Sequence, residues 1–405
     1  MNDRAPRQRA IDYGRRCFGS TWFPASVAEA PGRLELIGNH VDYNCGLVLA
    51  GAIDRVVAVV AGQSSDRNRI EIAAADVSGD IAEIDVEACR HWRHNCGDVG
   101  PDHYVRGVLA ALMERGHPVQ GGFQVAIAGD VPLGFGMSSS AALCVALVMT
   151  LSAGELDPHE IVAVAREAEH RCGNPVGAMD QSASIAGGII LFDGRDDSFT
   201  SREPRLDDYV FAVADSGVAH ALGASSYAVR VAESREALAT IRSCLLPDLP
   251  SLGELTPDVW ANARSMLADR IEPVQRSRVD HVVSEVDRVR RGVDAIQVSD
   301  WIDFGRLMTE SGRSSNENYK ISHPMVEALV AEMLAIDGVA GARMMGGGEG
   351  GPALTLIHRD AVESVGALLD HGYFRNHPSH MSGNRLQVCA FGAGARIESL
   401  SQSSG

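Results

Sequence analysis

The chain has 405 residues, 45% of them hydrophobic and 22% charged, and a formal net charge of −17. That length exceeds what one hydrophobic core usually holds, so two domains are expected, with the ordinary composition of a soluble globular protein. With 53 acidic against 36 basic residues, a broad surface for nucleic acid or anionic membrane is excluded, because both need concentrated Lys and Arg.

The first segment, "MNDRAPRQRAIDYGRRC", is polar and has neither the apolar core of a signal peptide nor that of an anchor. The longest fully apolar run, Ala141 to Met149, falls far short of the ~20 residues that span a bilayer, so a cytoplasmic protein is expected. Next, "PGRLELIGNHVDYN" (31–44) reads as a short strand leading into a turn that crowds Arg33, Asn39, His40, Asp42, Tyr43 and Asn44. A polar turn would explain it; so would a site binding an anion and several hydroxyls at once, since donors and acceptors lie close together. Residues 55–62, 69–76 and 122–130 read as strands. Cys89, His91, His94 and Cys96, in "CRHWRHNC", match no common zinc spacing, and the eight cysteines, with no C-x-x-C pair, suit reduced thiols.

The stretch "DVPLGFGMSSSAALCVALVMTL" (130–151) then joins a glycine-rich turn to a helix start. Gly134 and Gly136 permit positive φ and close approach of a ligand, while Ser138, Ser139 and Ser140 offer capping hydroxyls. Free N–H groups and the helix dipole there would hold an anion such as phosphate without a charged side chain; a well-capped buried helix is the other reading. A helix is expected over 159–172. In "GNPVGAMDQSASIAGG" (173–188), Asp180 stands in a nearly uncharged run, either a helix cap or a catalytic carboxylate. Residues 209–216 read as a buried strand, followed by long amphipathic helices and two strands around "GGGEGG" (346–351), where five of six residues are glycine. That loop is either a flexible hairpin or a main-chain surface for a nucleotide. Strands and helices are mixed without βαβ alternation, and a domain boundary is placed near residue 205.

In this order, "PGRLELIGNHVDYN", "VPLGFGMSSSAAL", "GNPVGAMDQ" and "RMMGGGEGG" resemble the motifs of the GHMP family of small-molecule kinases, and within it the galactokinase branch. "SSYAVR" (225–230) and "ESGRSSNENYKISHP" (310–324) extend the resemblance over nearly the whole chain. "GK[ST]" is missing, which excludes a P-loop kinase. The resemblance implies an α+β, two-domain GHMP kinase fold (1–205 and 206–405) with the active site between the domains. It implies ATP and Mg²⁺ as cofactors and a small-molecule sugar as partner. ATP phosphates would lie over Gly134 to Ser140, and Ser139 or Ser140, with Glu169, would hold the ion, since nucleotide-bound Mg²⁺ takes only one or two protein oxygens. The interval from Glu169 to Asp180 is one residue shorter than in typical galactokinases. Asp180 would accept the proton of the attacking anomeric hydroxyl, and Arg33 would steady Asp180 and the γ-phosphate. Asn39, His40, Asp42 and Tyr227 would bind the sugar, and Gly346, Gly347 and Gly348 would close the site.

Several positions depart from that pattern. Galactokinases usually carry Glu, near the sugar C6, where this chain has Asn39; Met345, Glu349 and Pro352 replace the usual Thr, Phe and Cys, and "RSSNENYKIS" differs from "RSLRDDYEVS". An amide in place of a carboxylate would tolerate an acid sugar, galacturonate or glucuronate, and these stand beside galactose with the other sugars altered at C6 or C2, arabinose and N-acetylgalactosamine. A non-catalytic sugar and ATP sensor is the alternative class; an intact phosphate loop, Arg33 and Asp180 favour an enzyme.

Overall fold

The computed structural model describes residues 4–400 except 65, 78–79, 96–98, 118, 120–121, 175, 207, 219–223 and 378–384, and the side chains of the helix Ala224–Cys244 from residue 227 onward. Seven strands are made before residue 205: β1 (Pro24–Ile37), β2 (Leu47–Gln63), β3 (Arg69–Ala74), β4 (Ala82–Asp85), β5 (Phe123–Gly129), β6 (Ile189–Asp193) and β7 (Ser198–Arg202). Four follow, β8 (Tyr209–Asp215), β9 (Val339–Met344), β10 (Pro352–His358) and β11 (Leu386–Cys389), and then β12 (Arg396–Ser399). The first sheet runs β12-β1-β2-β5-β3-β4 with β6 on β2 and β7 on β6; the second runs β11-β8-β10-β9. The end of the chain thus returns to the first sheet, where β12 pairs with Ser26 to Glu29 of β1.

The β1–β2 hairpin organises the first half. Rich in Val and Ala, β2 is long enough to fork: Val57 to Gln63 pair with β5, and Leu47 to Gly51 pair with β6. The strand expected before the first motif is short; the observed β1 has 14 residues. Pro31 and Gly32 do not end it, because the register shift between Pro31 and Arg33 absorbs them as an irregularity inside a continuous ladder.

Helix Ser139–Leu151 is apolar on every side, and all of its residues from Ala141 onward are buried. It packs on β1 and β2 and against helix Pro158–Arg171. The latter starts at Asp157, whose carboxylate accepts from the main-chain N–H of His159 (2.9 Å) and Glu160 (3.0 Å), with proline at the first position. Helices Pro273–Gln297 and Trp301–Ser314 touch β1, and the second of them also covers β9, so they form the seam between the sheets. No helix among the described residues is long and apolar enough to cross a membrane.

Candidate active site

Arg33 occupies the irregularity in β1, and that position lets it face two segments at once. A Cβ on neighbouring Gly32 would stand 2.5 Å from the Met137 carbonyl, so only glycine lets the loop 130–138 settle on the strand. The Arg33 main-chain N–H donates to that carbonyl (3.0 Å), and Nη1 donates to Gly136 O (2.6 Å). Nε and Nη2 donate to Asp180 Oδ1 and Oδ2, each at 2.7 Å, a bidentate pair with Arg33 6% exposed. The two residues expected to cooperate are 147 positions apart and in direct contact.

The phosphate loop has the backbone its glycines predict, with φ of 70° at Gly134 and 64° at Gly136. Nothing lies within 4 Å of where a Gly134 Cβ would be, so the loop is open on that side; Gly136 lies 3.1 Å from Pro352, at the start of β10, by the same measure. The serines differ from expectation. Ser138 is the N-cap residue, but it is left-handed (φ 56°) and its hydroxyl caps nothing. It donates instead to Asp180 Oδ2, a bond that only the fold brings about. Ser139 and Ser140 sit at the first turn, and Ser140 faces Glu169.

Glu169 is 1% exposed, and its carboxylate accepts from the neutral amides of Asn174 (3.1 Å) and Gln181. Burial, and then the charge of Asp180, push its carboxyl up to about 7. Gln181 Oε1, on the same amide, is buried with no hydrogen-bond partner. A buried carboxylate, a hydroxyl and an orphaned carbonyl oxygen make a hard, oxygen-rich donor set short of positive charge, which fits a divalent cation such as Mg²⁺.

The sugar motif turns through Gly38 (φ 111°) and His40 (φ 59°) into a short 3₁₀ turn at Asp42–Asn44. His40 Nε2 lies 3.2 Å from Gly347 O, and Nδ1 lies 2.8 Å from Tyr43 Oη. A carbonyl only accepts, so Nε2 carries the proton and Tyr43 donates to Nδ1. Burial holds the ring's pKa down to about 3, so this neutral tautomer persists. Tyr43 Oη in turn lies 2.9 Å from Tyr319 Oη, which bonds Ser234 at 2.7 Å. Tyr227 completes the wall, its ring 5.1 Å from His40 and 5.3 Å from Tyr43. Asp42 projects toward Gly177, where a Cβ would stand 2.0 Å from Asp42 Oδ2; the glycine in "GNPVGAMD" makes that notch. Burial first, with Glu35 and Asp180 adding, pushes the Asp42 carboxyl up to about 7.

Asn39 is wholly buried. Its amide donates to Glu35 Oε1 (2.7 Å) and Gly346 O (3.0 Å), and its Oδ1 accepts from Ser315 (3.1 Å). Gly346, Gly347 and Gly348 are therefore joined to the sugar motif by two hydrogen bonds through their carbonyls, one from Asn39 and one from His40.

Glu285, Arg288 and His281, outside every quoted motif, and Arg343, at the head of "RMMGGGEGG", hold this together. Glu285 Oε1 accepts from the N–H of Gly38 (2.8 Å) and Asn39 (3.1 Å) and from Ser311. Burial opposes its charge, but Arg288, His281 and Arg343 outweigh that and keep it well below the usual range. Arg343, fully buried, donates to Leu36 O and pairs with Glu35. Glu285 and Arg288 carry no local signal: they look like polar positions on one more amphipathic helix. The candidate zinc cluster is not part of the site. Cys89 donates to Asp85 O, the His94 ring packs 4.8 Å from His103, and Cys96 lies outside the described residues. No group of three or more His, Cys, Asp or Glu poised for a metal occurs among the described residues.

The phosphate loop at a helix start, the Arg–carboxylate pair and the glycine loop between two sheets define a GHMP small-molecule kinase. Models for "GHMP kinases N terminal domain", "Galactokinase galactose-binding signature" and "GHMP kinases C terminal" match residues 103–188, 15–63 and 293–371. A galactokinase from Roseiflexus is 36% identical over 350 residues, 84% of this chain and 85% of that one. The human galactokinase is 34% identical over 84% of this chain and 85% of its own. Lactococcus lactis galactokinase, solved in complex with galactose, superposes with a TM-score of 0.85 at 25% identity, covering 95% of this chain and 98% of that one. The chain belongs to the galactokinase family, whose members are sugar kinases.

Proposed function

We propose that this chain transfers the γ-phosphoryl group of ATP to the anomeric hydroxyl of galactose. The observation that carries it is the bidentate Arg33–Asp180 pair, standing between the open phosphate loop and the aromatic sugar turn. Asp180, aligned by Arg33 and Ser138, accepts the proton of the attacking hydroxyl as the new P–O bond forms. Arg33 adds positive charge where negative charge gathers on the transferring group. The amides of Gly134 to Ser140 hold the phosphates, with Gly346, Gly347 and Gly348 closing the other side. Ser139 or Ser140, with Glu169, would hold Mg²⁺, which when bound shields the nucleotide's charge. Asp42 and Tyr227 bind the sugar hydroxyls; His40, whose ring nitrogens are engaged by Gly347 and Tyr43, packs its ring against Tyr227 in the same wall, with Asn39 behind them.

The same reading divides the labour between residues 1–205, which carry the sugar turn, phosphate loop and Asp180, and 206–405, which carry Tyr227 and the glycine loop. It places the enzyme in the cytoplasm, where the described free cysteines stay reduced.

A coupled ADP-release assay with galactose, galacturonate, glucuronate, arabinose and N-acetylgalactosamine, with the product identified by phosphorus NMR, tests this. Galactose 1-phosphate is the expected product. Sugar and ATP binding without ADP release would identify a sensor instead.

A further inference from the structure

Asn39 has no free donor for a substrate: both amide hydrogens are engaged by Glu35 and Gly346, and its carbonyl oxygen already accepts from Ser315. Its main chain is equally held, the N–H by Glu285 and the carbonyl by His281 Nε2 at 2.9 Å. The carboxylate of this corner is on Glu35, whose Oε1 receives Asn39 at 2.7 Å and Arg343 at 3.2 Å. Its charge reaches both Asp42 and Tyr227. The guanidiniums whose charge reaches His40, Arg230 and Arg343, are already paired, with Glu233 and Glu35 respectively. Arg33 is committed to Asp180. A sugar bearing a carboxylate would thus meet Glu35 and Asp42 and no uncommitted cation among these groups.

Building on the sugar-kinase reading, we propose that Glu35 and Asn39 together are the specificity element of the pocket. Asn39 is a positioning residue that fixes the Glu35 carboxylate and the glycine loop, and the pocket admits a neutral sugar and rejects a uronic acid. The loss of a carboxylate at residue 39 leaves the corner with one carboxylate, because Glu35 supplies it, its charge shared with Arg343.

The test combines melting temperatures without ligand, calorimetric binding of galactose and galacturonate, and kinetics of Asn39→Glu, Glu35→Asn and the double exchange Glu35→Asn/Asn39→Glu. Asn39→Glu sets a second carboxylate against Glu35. It should lower the melting temperature and raise the KM for galactose about tenfold, with the KM for ATP unchanged. The double exchange restores an acid–amide pair with its ends reversed and should recover both. Wild type should bind galacturonate at least ~100-fold more weakly than galactose. If Asn39→Glu melts like wild type and binds galactose better, Asn39 faces the substrate directly and the proposal is overturned. Stronger binding of galacturonate by wild type overturns it equally. Melting coupling between residues 35 and 39 with no binding of either sugar would instead sink the sugar-kinase reading, and the specificity claim with it.

Discussion

Asp180 receives three hydrogen bonds, two from Arg33 and one from Ser138, so its carboxylate is fixed in direction before substrate arrives. Asp180→Asn keeps the shape but cannot take a proton. It should lower kcat by at least ~100-fold and leave ATP affinity nearly unchanged, as read by steady-state kinetics and nucleotide titration. A variant with most of its turnover intact would remove Asp180 from the chemistry. Asp42 makes a pH prediction. An unfolded aspartate titrates near 4, and the folded one is raised to about 7, chiefly by burial. The folded state therefore holds this proton more tightly, and the stability it contributes is complete below about pH 4 and lost as pH rises to about 7. Asp42→Asn stays neutral throughout, so its urea midpoint should decline less than that of wild type between pH 5 and 7.5. Parallel declines would show that Asp42 is not the group responsible.

At the scale of elements, the proposed phosphate loop would offer backbone rather than side chains to a nucleotide, since Gly134 and Gly136 carry none. Gly134, at φ 70° with open space beyond it, is the position where a methyl group intrudes on that space without striking the protein. Gly134→Ala should leave a folded protein, destabilised by roughly 1 kcal/mol through its left-handed backbone. Nucleotide affinity should fall about tenfold by calorimetry. Gly136 is a poorer probe, since Pro352 lies 3.1 Å from its added Cβ and would have to shift as well. Unchanged ATP binding by folded Gly134→Ala would return the loop to a plain helix entry. The glycine loop is held differently: Met345 N–H donates to Pro352 O at its base, and Asn39 and His40 tie its crown to the sugar turn. Sugar recognition and loop placement therefore share atoms.

Across the whole molecule, the C-terminal segment binds the two sheets together. Phe391 pairs by a bridge with Ile53, packs on Gly51 where a Cβ would stand 2.2 Å from its ring, and lies 5.4 Å from Phe211 of the second sheet. Phe391→Ala should destabilise the protein by about 2 kcal/mol, less than a fully buried Phe because the ring is only partly buried. Denaturant unfolding measures it, and a midpoint equal to wild type would show that the sheets are coupled elsewhere.

The sequence by itself determined the local devices. Glycines at 134 and 136 permit positive φ, which both adopt, an apolar run after three serines makes a buried helix, and an isolated Asp180 among small residues marks either a helix cap or a catalytic carboxylate. Those signals lie within a few residues of one another, and short-range sterics and burial act at that range. The pairing of Arg33 with Asp180 was implied by the resemblance and is made in the structure; only the tertiary structure decided the other partners: Ser138 turned from cap to clamp, Glu35 and Arg343 beneath Asn39, Glu285 under the sugar turn. Each joins residues from different elements, and a pairing across tens or hundreds of residues leaves no mark in either segment alone. Asn39 shows the consequence. As a letter it is a lost carboxylate; in the folded chain the carboxylate is four residues away, on the strand that leads into its turn, and whether a charge faces the substrate depends on which side chains the fold places around it.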